Sequence, residues 1–179
     1  MNVGADKPSD SGLYFQWGDV QGYTLDQIGL GEGQKKFAID WSDYKWSSHI
    51  KYVAGAKLEL EDDAAHVNMG GDWHMPTDEQ TIELTVNTTS AWTTSDGVSG
   101  VTFTSKKDSS KSIFIPAAGW AENGKMSDSG SQGKVWASMN DGDFYSFGHC
   151  LQFNSEEVST GDMGSSNIEN GCSVRGVIG

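Results

Sequence analysis

Apolar residues along this chain fall in short runs separated by glycine and small polar residues. That pattern predicts strands and turns with little helix. The cleanest pair of runs is Val101 to Ser105 and Ile113 to Pro116, both β-branched and aromatic. The polar segment Lys106-Lys107-Asp108-Ser109-Ser110-Lys111 between them reads as a turn, so the two predict a hairpin. Its three lysines make a solvated tip that also blunts the strand edges. Val135 to Ser138 reads as a core strand. His149 to Phe153 and Cys172 to Val177 are the last two strands, expected to pair antiparallel. Alternation along His149 to Phe153 places Leu151 and Phe153 on its buried face. Between these strands, Asn154 to Gly171 has no period, and a connection of that length is usually functional or disordered.

Helix signals are few. Thr77-Asp78-Glu79-Gln80 fits a capping box and predicts a helix from Asp78 to about Thr88. Ile82, Leu84 and Val86 alternate with Glu83 and Thr85 in a strand-like way, but the explicit cap decides for helix. A second, short helix is expected to start near Asp62, because carboxylates favour helix N-termini. Two aromatic clusters, Tyr14, Phe15, Trp17, Tyr23 and Phe37, Trp41, Tyr44, Trp46, are expected to pack beneath long loops.

Composition sharpens this picture. The 179 residues suit one domain, residues 1–179, large enough for a real core. Glycine is abundant, at 23 residues, against 3 prolines and 7 tryptophans. It follows no three-residue period, which excludes collagen, and 11% aromatic residues argue against disorder. Lys and Arg total 12 against 25 Asp and Glu, a net charge of −13. Such a chain is repelled by phosphate backbones and anionic lipids, so neither nucleic acid nor a membrane surface is an expected partner. No apolar run approaches the roughly 20 residues of a spanning helix, so no membrane insertion is expected. Met1 to Ala5 has neither the basic nor the apolar region of a signal peptide. Cys150 and Cys172 allow one disulfide at most, and unpaired thiols are the simpler reading. The four histidines show no zinc-finger spacing, and no metal or cofactor is expected.

Enzyme signatures are missing: there is no G-x-S-x-G elbow, P-loop, H-E-x-x-H or dinucleotide fingerprint, so no catalytic residue is assigned. Glu59, Glu61, Asp62, Asp63 and His66 lack the EF-hand spacing of a calcium loop and read better as a solvated helix start. His74, between Trp73 and Met75-Pro76, reads as a buried packing histidine, and His149 as part of a strand edge. Asn87-Thr88-Thr89 is a glycosylation sequon, meaningful only in a eukaryotic secretory context. The segment Asn140 to Phe147 is different. It mixes rings with Ser, Gly, Asn and Asp, the chemistry of adaptable recognition surfaces, and Ser159 to Asn170 continues the small polar part. Phe144, Tyr145 and Phe147 together are costly to leave exposed without a partner.

Several blocks also match a known family in order along nearly the whole chain. Asn2-Val3-Gly4-Ala5, Tyr14-Phe15-Gln16-Trp17-Gly18, Gly70-Gly71-Asp72-Trp73-His74-Met75-Pro76-Thr77, Ile115-Pro116-Ala117-Ala118-Gly119, Gly133 to Ser138 and Ser173-Val174-Arg175-Gly176-Val177 resemble the Fibrobacter succinogenes major paralogous domain and its relatives. Family members usually carry arginine at the place of His74, so the chain departs from the pattern there. The resemblance implies an α+β, C-type lectin-like fold of the formylglycine-generating-enzyme type, with small antiparallel sheets, about two helices and long ordered loops.

Within that group the chain resembles the variable protein of a diversity-generating retroelement, in which adenine-directed mutagenesis randomises a C-terminal surface. Every residue from Asn140 through Leu151 belongs to the set that such mutagenesis reaches from asparagine-type codons, whereas Met163 and Glu169 fall outside it. The two cysteines would then be products of diversification. The implied function is ligand binding and display, with no enzyme activity, by a diversified surface within residues 135–175. The implied partner is a protein or surface receptor on a host or cell, and the implied setting is a virion or cell surface. The proposed contacts are Asn140, Asp141, Asp143, Phe144, Tyr145, Phe147, His149, Ser159, Thr160, Asp162, Ser165, Ser166, Asn167 and Asn170. Two alternatives stand beside it: a relative of the formylglycine-generating oxidases, and a non-binding structural domain of a virion or surface protein. The Glu-Pro-Asn and Trp-Asn-Asp calcium motifs of animal lectins are missing, so a lectin-like fold here implies neither sugar nor calcium binding.

Overall fold

The computed structural model describes residues 1–28, 52, 54–142 and 146–179, with Asp162 described through its backbone. The aromatic cluster Phe37, Trp41, Tyr44 and Trp46 lies outside the described residues. In chain order the elements are β1 (Tyr14–Phe15), α1 (Leu25–Ile28), a 3-10 turn (Leu60–Asp62), α2 (Ala64–Met69), α3 (Asp78–Asn87), β2 (Thr88–Ser95), β3 (Val98–Ser105) and β4 (Ser112–Pro116). They continue with β5 (Trp120–Glu122), β6 (Lys125–Ser127), β7 (Gln132–Asn140), β8 (Phe147–Asn154), β9 (Val158–Ser159), a second 3-10 turn (Gly161–Met163), β10 (Ser165–Asn167) and β11 (Cys172–Ser173). The class is α+β, mostly strand, with small sheets. Among the described residues there are three α-helices rather than about two, and α1 is a single turn. None is long and apolar enough to cross a membrane.

Caps and turns explain the local choices. In α3 the Gln80 amide donates to Thr77 Oγ1 at 3.3 Å and the Thr77 amide donates to Gln80 Oε1 at 3.0 Å, closing the capping box. The strand-like alternation loses: Ile82 and Val86 stand exposed, while Leu84 packs on the core. Asp63 caps α2 by accepting the His66 amide at 2.9 Å. The same carboxylate accepts the Met75 amide at 2.8 Å, so one acid ties the helix start to the following loop. Asp96-Gly97 and Asn123-Gly124 both have positive φ at each residue, the requirement of a type I′ turn. They close the β2–β3 and β5–β6 hairpins, with Ser95 opposite Val98 and Glu122 opposite Lys125. The expected β3–β4 hairpin forms with Val101 opposite Ile115.

The main sheet has the order β1-β11-β7-β8-β10, with β9 beside the far half of β8. The expected antiparallel pairing of the two last strands does not occur. β8 is flanked by β7 on one side and by β10 and β9 on the other, so its hydrogen-bonding edges are taken. β11 instead lies parallel to β7 and antiparallel to β1, with Ser173 opposite Val135 and Tyr14 opposite Ser173. The chain beyond it bridges Asn2 through Arg175 and His74 through Val177, stitching the C-terminal run to the N-terminal loop.

Both faces of this sheet are covered. Trp136, Cys150 and Cys172 pack with Phe15, Trp17, Met75 and Val174 on one side. Val135, Leu151 and Phe153 pack against Val101, Phe103 and Ile115 of the three-stranded sheet on the other. Leu151 and Phe153 are therefore buried as expected, but Cys150, facing the other side just before them, is buried too, because a strand covered on both faces loses polar alternation. Each large side chain so buried contributes about 1.5–3 kcal/mol. The buried rings also keep their polar tips paired: Trp136 Nε1 donates to the Phe15 carbonyl at 2.7 Å and Trp17 Nε1 to the Ala137 carbonyl at 3.0 Å.

Candidate functional site

The C-terminal third is assembled along one edge of β8. β10 runs antiparallel to the start of β8, pairing Ser165 with His149, Ser166 with Gly148 and Asn167 with Phe147. β9 pairs Ser159 with Gln152 further along the same edge. Three residues of strand separate the two, about 10 Å. The Ile168 amide donates to the Ser146 carbonyl at 2.9 Å, and the Cys150 amide to the Gly164 carbonyl at 2.7 Å. Phe147 and the segment around Ser159 to Asn167 thus meet along one edge, and the Asp141 amide donates to the Phe147 carbonyl at 2.9 Å from the β7 side.

The fourteen expected contacts divide by burial. Asp141, Ser159, Thr160, Ser165 and Asn167 are half-buried, and Phe147 is 37% exposed. Asn140, His149, Ser166 and Asn170 are buried. These four side chains lie beneath the surface, where they anchor the edge. Asp143, Phe144 and Tyr145 lie outside the described residues, as does the side chain of Asp162. Met163, outside the set that such mutagenesis reaches, is 83% exposed beside the edge.

Each anchor has work beneath the surface. Asn140 Oδ1 accepts the Ala56 amide at 2.7 Å, and its own amide donates to the Ala56 carbonyl at 3.1 Å. Ser166 Oγ accepts from Asn170 Nδ2 at 3.2 Å and from Lys134 Nζ at 3.4 Å. That lysine is itself buried and lies 4.0 Å from the centroid of the Trp120 ring, whose π face supplies part of the solvation the ammonium lost. Burial raises the Glu169 carboxyl above its ordinary value, and the Glu122 charge adds to the rise.

His149 is not at a strand edge, because β7 and β10 flank its strand. Its Nδ1 lies 2.6 Å from Asp78 Oδ2, with both side chains largely enclosed. A carboxylate only accepts, so the imidazole carries a proton on Nδ1. The contact joins the first turn of α3 to β8. Asp78 Oδ1 is buried with no hydrogen-bond partner among the described residues, so the imidazole is the partner that holds this acid in place.

Sequence reasoning missed Asp78, because nothing local links it to a histidine 71 positions away. It also missed Lys134, whose signal was legible: a lysine inside the apolar run Gly133 to Ser138. His74 is half-buried rather than buried, with Nδ1 2.8 Å from the Met75 carbonyl.

The remaining chemistry is quiet. Cys150 and Cys172 are free thiols, both fully enclosed. They lie on β8 and β11 with β7 between, which sets their Cα atoms at least ~9.5 Å apart, beyond the ~7 Å reach of a disulfide. Burial pushes the Cys172 thiol up to about 12 and the Cys150 thiol higher, so both are protonated and inert at neutral pH. Glu59, Glu61 and Asp62 converge within 4.8 Å, two of them exposed, and Asp62 accepts from the Tyr52 hydroxyl at 2.8 Å. Compared with family models, curated proteins and solved structures, the chain matches none.

Proposed function

We propose that this chain is a ligand-binding display protein of C-type lectin-like fold, the variable protein of a diversity-generating retroelement. In this reading a diversified edge recognises a protein or surface receptor on a host or cell, in a virion or at a cell surface. One observation carries the reading. The β8–β10 ladder sets Phe147, Ser165 and Asn167 on one face, with Asp141 bonded to the Phe147 carbonyl from the β7 side, while Asn140, Ser166 and Asn170 are tied down on the other face and His149 is held by Asp78. A surface of that kind changes its outer side chains without disturbing what lies beneath. Rings supply area and small polar groups supply specificity. The α+β class with small sheets and long connections supports the fold half of the proposal. The enclosed, protonated thiols support binding over oxidase chemistry, which needs a thiolate within reach of substrate.

The test is a library randomised at Asp141, Phe147, Ser165 and Asn167, displayed and panned on unrelated protein targets. Most members are expected to fold, and different targets are expected to enrich different members. A library that largely fails to fold, or natural variants invariant at these positions, would refute the proposal. The coding region for residues 135–175 should also have an adenine-rich near-repeat close to a reverse-transcriptase gene.

A further inference from the structure

A second site lies where α3, the three-stranded sheet and the C-terminal run converge, reaching Leu151 of β8. They enclose a cleft of about 370 Å³. Its apolar wall comes from Leu84, Ile113, Ile115, Val135 and Leu151, three of which belong to the buried core beneath. Arg175 lines the same cleft. Its guanidinium has five N–H donors. One hydrogen bond uses it, from Nη1 to the Phe114 carbonyl at 3.0 Å, and no carboxylate among the described residues pairs with it. In a chain with 25 acids and 12 bases, a half-buried arginine with no acidic partner among the described residues is conspicuous. The enclosure is real enough for burial to depress its pKa.

We infer that this cleft binds a small monocarboxylic acid with an apolar tail, its carboxylate on Arg175 and its tail against Leu84, Ile113 and Leu151. Guanidinium and carboxylate match as a planar, charge-assisted pair, and they are worth most where water is excluded. The volume sits at the small end of the ~300–1,000 Å³ typical of ligand sites, which limits the tail to a short chain or single ring. Glu83, on the helix side of the cleft, and the overall −13 charge select against di- and tricarboxylates.

Titration calorimetry of the whole chain with octanoate, octanol and octylammonium tests this. Octanoate is expected to bind at least about tenfold more tightly than octanol, with no binding of octylammonium. Arg175→Gln is expected to weaken octanoate about ten- to a hundredfold while leaving octanol unchanged. Arg175 also holds the Phe114 carbonyl through Nη1, so this variant risks misfolding. Ile113→Trp is the second arm: it starts from a position 37% exposed, fills the cleft and is expected to abolish octanoate binding in a folded protein. Equal affinity for octanol and octanoate, octanoate binding that survives Ile113→Trp, or no octanoate binding at millimolar concentration would each overturn the inference.

Discussion

Replacing Asn140 by alanine separates an anchor from a contact. The side chain is 1% exposed, and its Oδ1 accepts the Ala56 amide at 2.7 Å. Around it, the Gly55 amide donates to the Asp141 carbonyl at 3.1 Å and the Leu58 amide to the Ser138 carbonyl at 2.8 Å. Asn140 therefore sits in the middle of a staple between the end of β7 and residues 55–58. Alanine keeps the backbone bonds but leaves the Ala56 N–H without its acceptor, at a cost of about 1–3 kcal/mol. At about 2–4 °C per kcal/mol for a chain this long, the melting temperature should fall by roughly 3–10 °C. Equilibrium urea unfolding reads the same loss as a lower midpoint at constant slope. Asn167→Ala is the control. It removes an acceptor 3.4 Å from the Glu169 amide on a half-buried strand, and should change stability by no more than about 0.5 kcal/mol. If Asn140→Ala unfolds with the parent, or Asn167→Ala costs as much, burial does not sort this region into anchors and contacts.

Gly133→Ala should cost about 1–3 kcal/mol, because a Cβ there would stand 2.1 Å from Phe153 Cζ; Phe153→Leu in the same chain should recover part of it, and full additivity of the two in urea unfolding would disprove the clash. Neither cysteine should react with a thiol reagent at neutral pH until denaturant is added, and one fast thiol in the native protein would contradict their enclosure. Both thiols hold their protons more tightly folded than unfolded, so their contribution is intact below the ordinary thiol value of about 8.5 and is lost as pH rises towards about 12. Stability should fall by up to roughly 1 kcal/mol per pH unit per thiol across that window, and the Cys150→Ala, Cys172→Ala double variant should show a shallower decline. Asp63→Ala should cost more than a simple cap, because it also strips the Met75 amide; a loss below about 1 kcal/mol would show that the second role is idle.

Much of the fold was legible where chemistry is local. The Thr77–Gln80 box overrode a competing strand pattern, and the structure follows the box. The β3–β4 hairpin is legible from its β-branched runs. The β2–β3 and β5–β6 hairpins are legible only at their turns. Asp96-Gly97 and Asn123-Gly124 announce them, but Ala91 to Ser95 is too polar to look like a strand. The position of β11 was not legible. It is set by which edges remain once β8 has taken three partners, a consequence of the whole sheet rather than of residues 172–177.

The candidate edge divides in the same way. Its composition is local and stands out at Asn140 to Phe147. Its geometry depends on Ser165 meeting His149, a pairing that no window of sequence encodes. Nor does residue type separate the two roles. Asn140 and Asn167 carry the same side chain, yet one accepts a bond beneath the sheet and the other stands at the surface. Along β10 the half-buried, buried, half-buried order of Ser165, Ser166 and Asn167 follows the side of the strand each faces, whereas His149, opposite Ser165, is buried because Asp78 of α3 covers it. A process that rewrote every asparagine-type codon in this region would strike anchors and contacts alike. Losses at Asn140 or Asn170 would then appear as failed folding rather than altered binding. The diversity that survives in natural variants should therefore be concentrated at Asp141, Phe147, Ser165 and Asn167, with Asn140, Ser166 and Asn170 held, although all belong to the same class of small polar or aromatic residue.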